Sequence, residues 1–146
     1  MLSAGALFSS LEPAGEPAAA PVREGAVLLV EDEDSLAELL THLLRRIQVR
    51  VLRAADGAAA RQLFADHRNA ITLAFVDCQL PDIAGADLCQ EMRSAVPGLP
   101  LLLTSGRDQR ALQAALAVGG PCQFLAKPDM PADVMRRVTS LLATTG

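Results

Sequence analysis

Short apolar runs alternate with longer amphipathic stretches from residue 26 to residue 142. Each apolar run is bounded by charged, Gly or Pro residues, a pattern typical of buried strands. The predicted strands are 26–31, 49–54, 71–77, 100–104 and 122–126. Apolar residues recur at helical spacing after each strand, which predicts helices over 36–47, 58–68, 86–95, 108–118 and 131–142. Five strand–helix units predict an α/β fold, a doubly wound parallel sheet with right-handed crossovers.

The segment before the first strand differs in composition from the rest. Residues 1–24 are rich in Ala, Gly, Pro, Ser and Glu, and we interpret them as a flexible linker or tail. Residues 25–143 are expected to form one domain around a single core, and 144–146 a short tail.

Composition and charge argue against several functional classes. The chain has 146 residues and a net charge of −4, and it shows no basic stripe, so nucleic-acid binding is not expected. Its three cysteines lack metal or redox spacing and suit a reducing compartment. No apolar stretch reaches the length of a membrane span, and no secretory signal is evident. We therefore expect a cytoplasmic protein without direct membrane contact.

Charged and hydroxyl side chains stand at the carboxyl ends of four predicted strands. Glu31 and Asp32 come at the end of the first strand, and Asp77 ends the third. Ser105 follows the fourth strand, and Lys127 follows the fifth. In the strand order 2-1-3-4-5, a doubly wound sheet binds ligands at this edge, where the first and third strands meet. These five side chains are therefore expected to share one pocket.

Three acids in one pocket indicate a cation site, because like charges this close repel one another unless a metal joins them. Mg²⁺ suits carboxylate and phosphate oxygens in octahedral geometry. Lys127 adds a mobile positive charge that can pair with a phosphoryl oxygen. A carboxylate such as Asp77 can attack phosphorus and form an aspartyl phosphate. The pattern therefore indicates a pocket that holds Mg²⁺ and accepts a phosphoryl group.

The chain resembles the receiver domain of two-component response regulators over residues 25–143. The resemblance rests on four motifs that agree in type, order and spacing: Leu29-Val30-Glu31-Asp32, Val76-Asp77-Cys78-Gln79-Leu80-Pro81 with Gly85, Leu103-Thr104-Ser105-Gly106, and Lys127-Pro128. It implies a flavodoxin-like sheet and a phosphoacceptor in a phosphorelay, not an enzyme that turns over a metabolite. It also implies a histidine kinase or a histidine phosphotransfer protein as partner.

The resemblance implies roles for the matching positions. Asp77 is the expected phosphoacceptor, and Lys127 is the expected phosphate partner. Asp32, together with Asp77 and the backbone carbonyl of Gln79, is expected to hold Mg²⁺, with Glu31 acting mainly through water. Glu31 stands where Asp is commoner in the family.

Two further positions form the expected switch. Thr104 competes with Ser105 for the switch hydroxyl, because side chains alternate along a strand and only one can face the pocket. Counting from Pro100, as the family's fourth strand usually runs, selects Ser105. Phe124, three residues before Lys127, is the expected switch aromatic, although plain core packing is an equal alternative.

The motif Asp-Cys-Gln-Leu-Pro resembles receivers fused to sensor kinases. We therefore expect the C-terminal receiver of a hybrid histidine kinase, with a free single-domain regulator as the rival. The face formed by the predicted helix 108–118, strand 122–126 and helix 131–142 is expected to respond to phosphorylation and could support a homodimer.

Other functions stay open on the residues alone. Asp32-x-Asp34 after the first strand is the arrangement of a haloacid dehalogenase-like phosphatase, although no cap domain follows. A pseudo-receiver that only binds partners is a third hypothesis, and the intact acids argue against it. Flavin binding is a remote fourth, since the chain has no Trp or Tyr to stack on the ring.

Overall fold

The computed structural model describes residues 25–105, 121–126 and 131–143. Its strands are β1 Ala26–Val30, β2 Arg50–Ala54, β3 Ile71–Asp77, β4 Leu101–Ser105 and β5 Cys122–Ala126. Its helices are α1 Asp34–Arg46, α2 Gly57–His67, α3 Gly85–Ala95 and α4 Pro131–Ala143. The predicted helix over 108–118 and the predicted tails, 1–24 and 144–146, lie outside the described residues.

The strands form one parallel sheet in the order β2-β1-β3-β4-β5. This confirms the predicted order 2-1-3-4-5. β3 lies at the centre, next to β1 on one side and β4 on the other. Because all strands run the same way, their carboxyl ends meet at one edge of the sheet, and the chain leaves β1 and β3 towards opposite neighbours there.

Alternating strand residues divide the core into two clusters, one on each face of the sheet. Leu28, Val30 and Leu103 pack on the face covered by α2 and α3. Leu29, Phe75 and Leu102 pack on the face covered by α1 and α4. The apolar faces of the helices thus form two buried layers around a sheet whose three central strands are almost wholly buried.

Local residues explain where two of the helices begin and end. α2 begins after Asp56, whose Oδ1 accepts a hydrogen bond from the Ala59 amide at 2.8 Å. α1 ends with Arg45 and Arg46, whose charges favour the negative end of the helix dipole. Gln48 follows at φ 63°, which turns the chain back into β2. Within the described parts of the chain, every helix is too short or too polar to cross a membrane.

Candidate functional site

The acidic residues predicted from the sequence meet at the carboxyl edge of the sheet. Glu31 follows β1, and Asp77 ends the neighbouring β3. One carboxylate oxygen from each of Glu31, Asp32 and Asp77 lies within 4.8 Å of the other two. Glu31 and Asp77 are buried, whereas Asp32 is exposed. The site thus has a buried floor and an open side through which a ligand can enter.

The chemistry of this donor set fits a hard divalent cation. All three groups are carboxylates, and a hard cation prefers oxygen ligands. Like charges this close repel one another, and a dication at their centre would offset that repulsion. Mg²⁺ usually takes one or two carboxylates and keeps several waters, which the exposed side at Asp32 would admit.

Short local hydrogen bonds orient two of the acids. The Gln79 amide donates to Asp77 Oδ1 at 2.9 Å. The Glu33 amide donates to Glu31 Oε2 at 3.1 Å. Each bond joins a side chain to the backbone two residues on, which is the geometry of a side-chain-stabilised turn. The backbone that leaves each strand therefore fixes the carboxylate at the strand's end.

The loop after β3 closes back on the phosphoacceptor candidate. We call residues 78–84 the acceptor loop. The Gly85 amide donates to the Cys78 carbonyl at 2.9 Å, and Gln79 pairs with Ala84 as an isolated antiparallel bridge. A Cβ on Gly85 would lie 2.3 Å from the Asp77 carbonyl oxygen, so only glycine permits this approach.

Two hydroxyls end β4 at the carboxyl edge of the sheet, and both are buried. Asp77 pairs with Thr104 across β3 and β4, and paired residues of parallel strands point to the same face. Thr104 continues the face of Leu102, whereas Ser105 continues the opposite face with Leu103. Because the site lies at the edge of the sheet and not on one of its faces, the choice of Ser105 over Thr104 stays a prediction. Among the described residues, Ser105 Oγ has no hydrogen-bond partner.

The remaining predicted site residues differ in how the structure places them. Phe124 is half-buried, pairs with Leu103 in the sheet and packs against the cluster under α2 and α3. Gln79 is exposed, and the metal-binding role of its carbonyl stays a prediction. Lys127 lies outside the described residues; in the sequence it follows Ala126, the last residue of β5.

Two residues near the site were missed by sequence reasoning. Arg53 on β2 donates from Nη2 to the Glu31 carbonyl at 2.9 Å and to Asp34 Oδ1 at 3.0 Å. Asp82 in the acceptor loop accepts from the Gly57 amide at 2.8 Å and the Ala58 amide at 3.0 Å. The sequence gives no specific signal for Arg53, which is one of two arginines in β2.

The hydrogen bonds from Gly57 and Ala58 hold the pKa of the Asp82 carboxyl below its usual range, and the first of these bonds has the larger effect. Asp82 is therefore ionised at neutral pH, which strengthens both of its hydrogen bonds.

Comparison with known proteins identifies the family of this chain. A family model described as the response regulator receiver domain matches residues 27–139. The chain belongs to this family. Members of this family share the alternating strand–helix fold described above. The predicted resemblance to the receiver family is therefore confirmed.

Curated relatives of this receiver are bacterial transcriptional regulatory and sensory transduction proteins. It is 34% identical over 120 residues to the probable transcriptional regulatory protein TcrX of Mycobacterium tuberculosis, covering 82% of this chain and 50% of that protein. It is 30% identical over 121 residues to the sensory transduction protein RegX3 of Mycobacterium bovis, covering 83% and 52%. The chain thus spans about half the length of the curated relatives it matches.

Solved structures agree on the fold. A CheY-like receiver from Methanospirillum hungatei matches with a TM-score of 0.76 at 20% identity, covering 84% of this chain and 96% of that chain. The receiver domain of a signal transduction histidine kinase from Syntrophus aciditrophicus matches with a TM-score of 0.73 at 25% identity, covering 82% and 91%. The first of these supports the fold alone.

Proposed function

We propose that this receiver accepts a phosphoryl group on Asp77 from a phosphohistidine donor in the presence of Mg²⁺. The observation that carries the proposal is the meeting of three carboxylates, two of them buried, at the end of the central strand. Such a cluster of carboxylate oxygens suits a hard divalent cation and a metal-assisted phosphoryl transfer.

The transfer follows from the position of Asp77. A carboxylate oxygen of Asp77 forms the new bond to phosphorus while the bond from phosphorus to the donor's imidazole nitrogen breaks, and that nitrogen keeps the electron pair. The hydrogen bond from Gln79 to Asp77 Oδ1 fixes the rotation of the carboxylate before attack. A divalent cation held by Asp32, Asp77, the Gln79 carbonyl and, through water, Glu31 would supply charge neutralisation for the phosphoryl oxygens.

The response to phosphorylation is assigned to the next strands of the sheet. Ser105 ends β4 with a buried hydroxyl that has no hydrogen-bond partner among the described residues, so we propose this hydroxyl as the group that moves towards the phosphate. Lys127 is the chain's single lysine, and we propose that it pairs with the phosphoryl oxygens. Phe124 on the adjacent β5 would then change its packing, which alters the surface that partners bind.

Partners and context are proposed on the same basis. The donor would be a histidine kinase or a histidine phosphotransfer protein, met in the cytoplasm, with the face around β5 and α4 as the surface for partners or a second copy. The expected placement in a hybrid kinase is not supported by the curated relatives, whose names are those of regulatory proteins. We therefore favour a response regulator. The match to the receiver family likewise leaves the haloacid dehalogenase-like alternative without support.

Replacing the acceptor tests the proposal. Incubation with acetyl phosphate and MgCl₂ should add one phosphoryl group to the wild-type protein, and Asp77→Asn should abolish the addition because an amide is a poor nucleophile. Intact-protein mass spectrometry measures the product. Asp66→Asn, an exposed aspartate on α2, is the matched control and should be labelled normally.

Other results would point elsewhere. Labelling of Asp77→Asn at the wild-type level would contradict the assignment of Asp77. An unlabelled wild-type protein that binds its partners would favour the pseudo-receiver. Sustained hydrolysis of p-nitrophenyl phosphate would favour the phosphatase.

A further inference from the structure

Asp82 joins the acceptor loop to the first turn of α2. Its Oδ1 accepts from the Gly57 amide at 2.8 Å, and its Oδ2 accepts from the Ala58 amide at 3.0 Å. The first amides of a helix have no partner within the helix, so they need acceptors from elsewhere. The side chain of the helix's own cap, Asp56, accepts from the Ala59 amide. A carboxylate from another loop thus completes the start of α2.

Ile83, the residue after Asp82, contacts the same first turn of α2 by apolar packing. Ile83 packs against the core cluster under α2 and α3. A Cβ built on Gly57 would lie 2.3 Å from Ile83 Cγ2, so the two segments touch with no space between them. Two consecutive loop residues, one polar and one apolar, therefore fix the tip of the acceptor loop on α2.

The base of the loop transmits this position to the acid site. Gly85 bonds to the Cys78 carbonyl, and Gln79 pairs with Ala84, so the loop is closed across its base. The Gln79 amide in turn holds Asp77 Oδ1. A shift of the tip would therefore move Gln79, both as the donor to Asp77 and as the proposed carbonyl ligand.

We propose that Asp82 is a positioning residue that sets the geometry of the metal and phosphoryl site through the acceptor loop. The inference rests on the proposed function, because it concerns the same site. Groups that orient metal ligands commonly change metal affinity by tenfold or more when they are removed. Asp82 differs from those groups in acting through the backbone of a loop and in using a helix start as its anchor.

The experiment compares two aspartates that serve the same helix turn. Asp82→Ala and Asp56→Ala each remove a carboxylate from the start of α2, but only Asp82 belongs to the acceptor loop. MgCl₂ is titrated into the full chain and followed by amide NMR signals. Hydrogen exchange of residues 78–85 is measured without metal. We expect Asp82→Ala to weaken Mg²⁺ binding about tenfold and to speed exchange in the loop.

The control and a conservative variant separate positioning from stability. Asp56→Ala should lower the melting temperature while leaving Mg²⁺ affinity within about twofold of wild type, since helix caps act on stability. Asp82→Asn keeps an acceptor oxygen and should recover part of the lost affinity. Equal Mg²⁺ affinity in Asp82→Ala and wild type, or an equal loss in Asp56→Ala, would overturn the inference. A wild-type protein that binds no Mg²⁺ would instead contradict the proposed function itself.

Discussion

Glu31 and Asp77 are two buried carboxylates that lie close together at the ends of neighbouring strands. Each is tied to a backbone amide, and Arg53 bonds to the carbonyl of Glu31. These contacts fix the orientation of the two acids and keep their carboxylates close together. The positions of the side chains are thus set before any ligand arrives, which is the preorganisation that phosphoryl transfer needs.

The two neighbouring hydroxyls on β4 give a residue-level prediction. Ser105→Ala should raise the free energy of unfolding by about 1 kcal/mol, because it removes a buried hydroxyl without a partner. Urea unfolding measures this change. Ser105→Ala should also abolish the NMR shift of Phe124 on phosphorylation, because it removes the proposed switch hydroxyl, and Thr104→Ala should retain that shift. Loss of the shift in Thr104→Ala alone would make Thr104 the switch hydroxyl.

Residue types at strand ends made the acids predictable, whereas Arg53 and Asp82 were not. Asp77 ends an apolar run, so its place at the sheet edge follows from local sequence alone. Arg53 and Asp82 instead contact main-chain atoms of distant segments, the Glu31 carbonyl and the amides of Gly57 and Ala58. Every residue has such atoms, so sequence cannot show which of them a side chain will reach.

At the level of elements, the pairing of β3 with β4 was not predictable, and alternation alone does not choose between Ser105 and Thr104. The fourth strand was predicted over 100–104, but β4 is Leu101–Ser105. Alternation tells which residues share a face of one strand, but the pairing with the next strand decides which face holds the site. The pairing of Asp77 with Thr104 is a tertiary fact, and no local pattern contains it. The helix predicted over 58–68 agrees with α2, Gly57–His67, to within one residue at each end.

The tight approach of α3 to β3 gives an element-level prediction. Gly85→Ala places a Cβ against the backbone of Asp77 and Cys78, so strand and helix must separate. We expect a loss of about 3 kcal/mol in unfolding free energy, together with slower labelling of Asp77. Urea unfolding and acetyl phosphate labelling measure the two effects.

Gly98→Ala is the control for this variant. Gly98 has φ +85° and open space around it, so alanine there costs about 1 kcal/mol through backbone strain alone. It lies at the other end of α3, and labelling of Asp77 should be unaffected. Labelling of Gly85→Ala at the wild-type rate would show that the approach of α3 does not position Asp77.

At the scale of the whole molecule, the cysteines report on the core rather than on chemistry. Cys89 on α3 is fully buried in the cluster under α2 and α3. Burial raises the pKa of the Cys89 thiol, and the nearby Cys122 and Cys78 raise it further. Burial also raises the pKa of the half-exposed Cys122. Such thiols are unreactive while the fold is intact.

The raised pKa of Cys89 predicts how the free energy of unfolding changes at alkaline pH. Below the ordinary thiol pKa of about 8.5, Cys89 is neutral in both states and stability is unaffected. Above it, the unfolded chain loses the proton and the native core does not, so unfolding free energy should fall by about 2 kcal/mol between pH 8.5 and pH 10. The chain has no tyrosine and one lysine, so thiols dominate the titration in this range. Urea unfolding at pH 7, 8.5 and 10 measures the slope, which Cys89→Ala should largely remove while Cys122→Ala removes less. An unchanged slope in Cys89→Ala would mean that this thiol ionises inside the native core, and hence that water reaches the α3 face of the sheet.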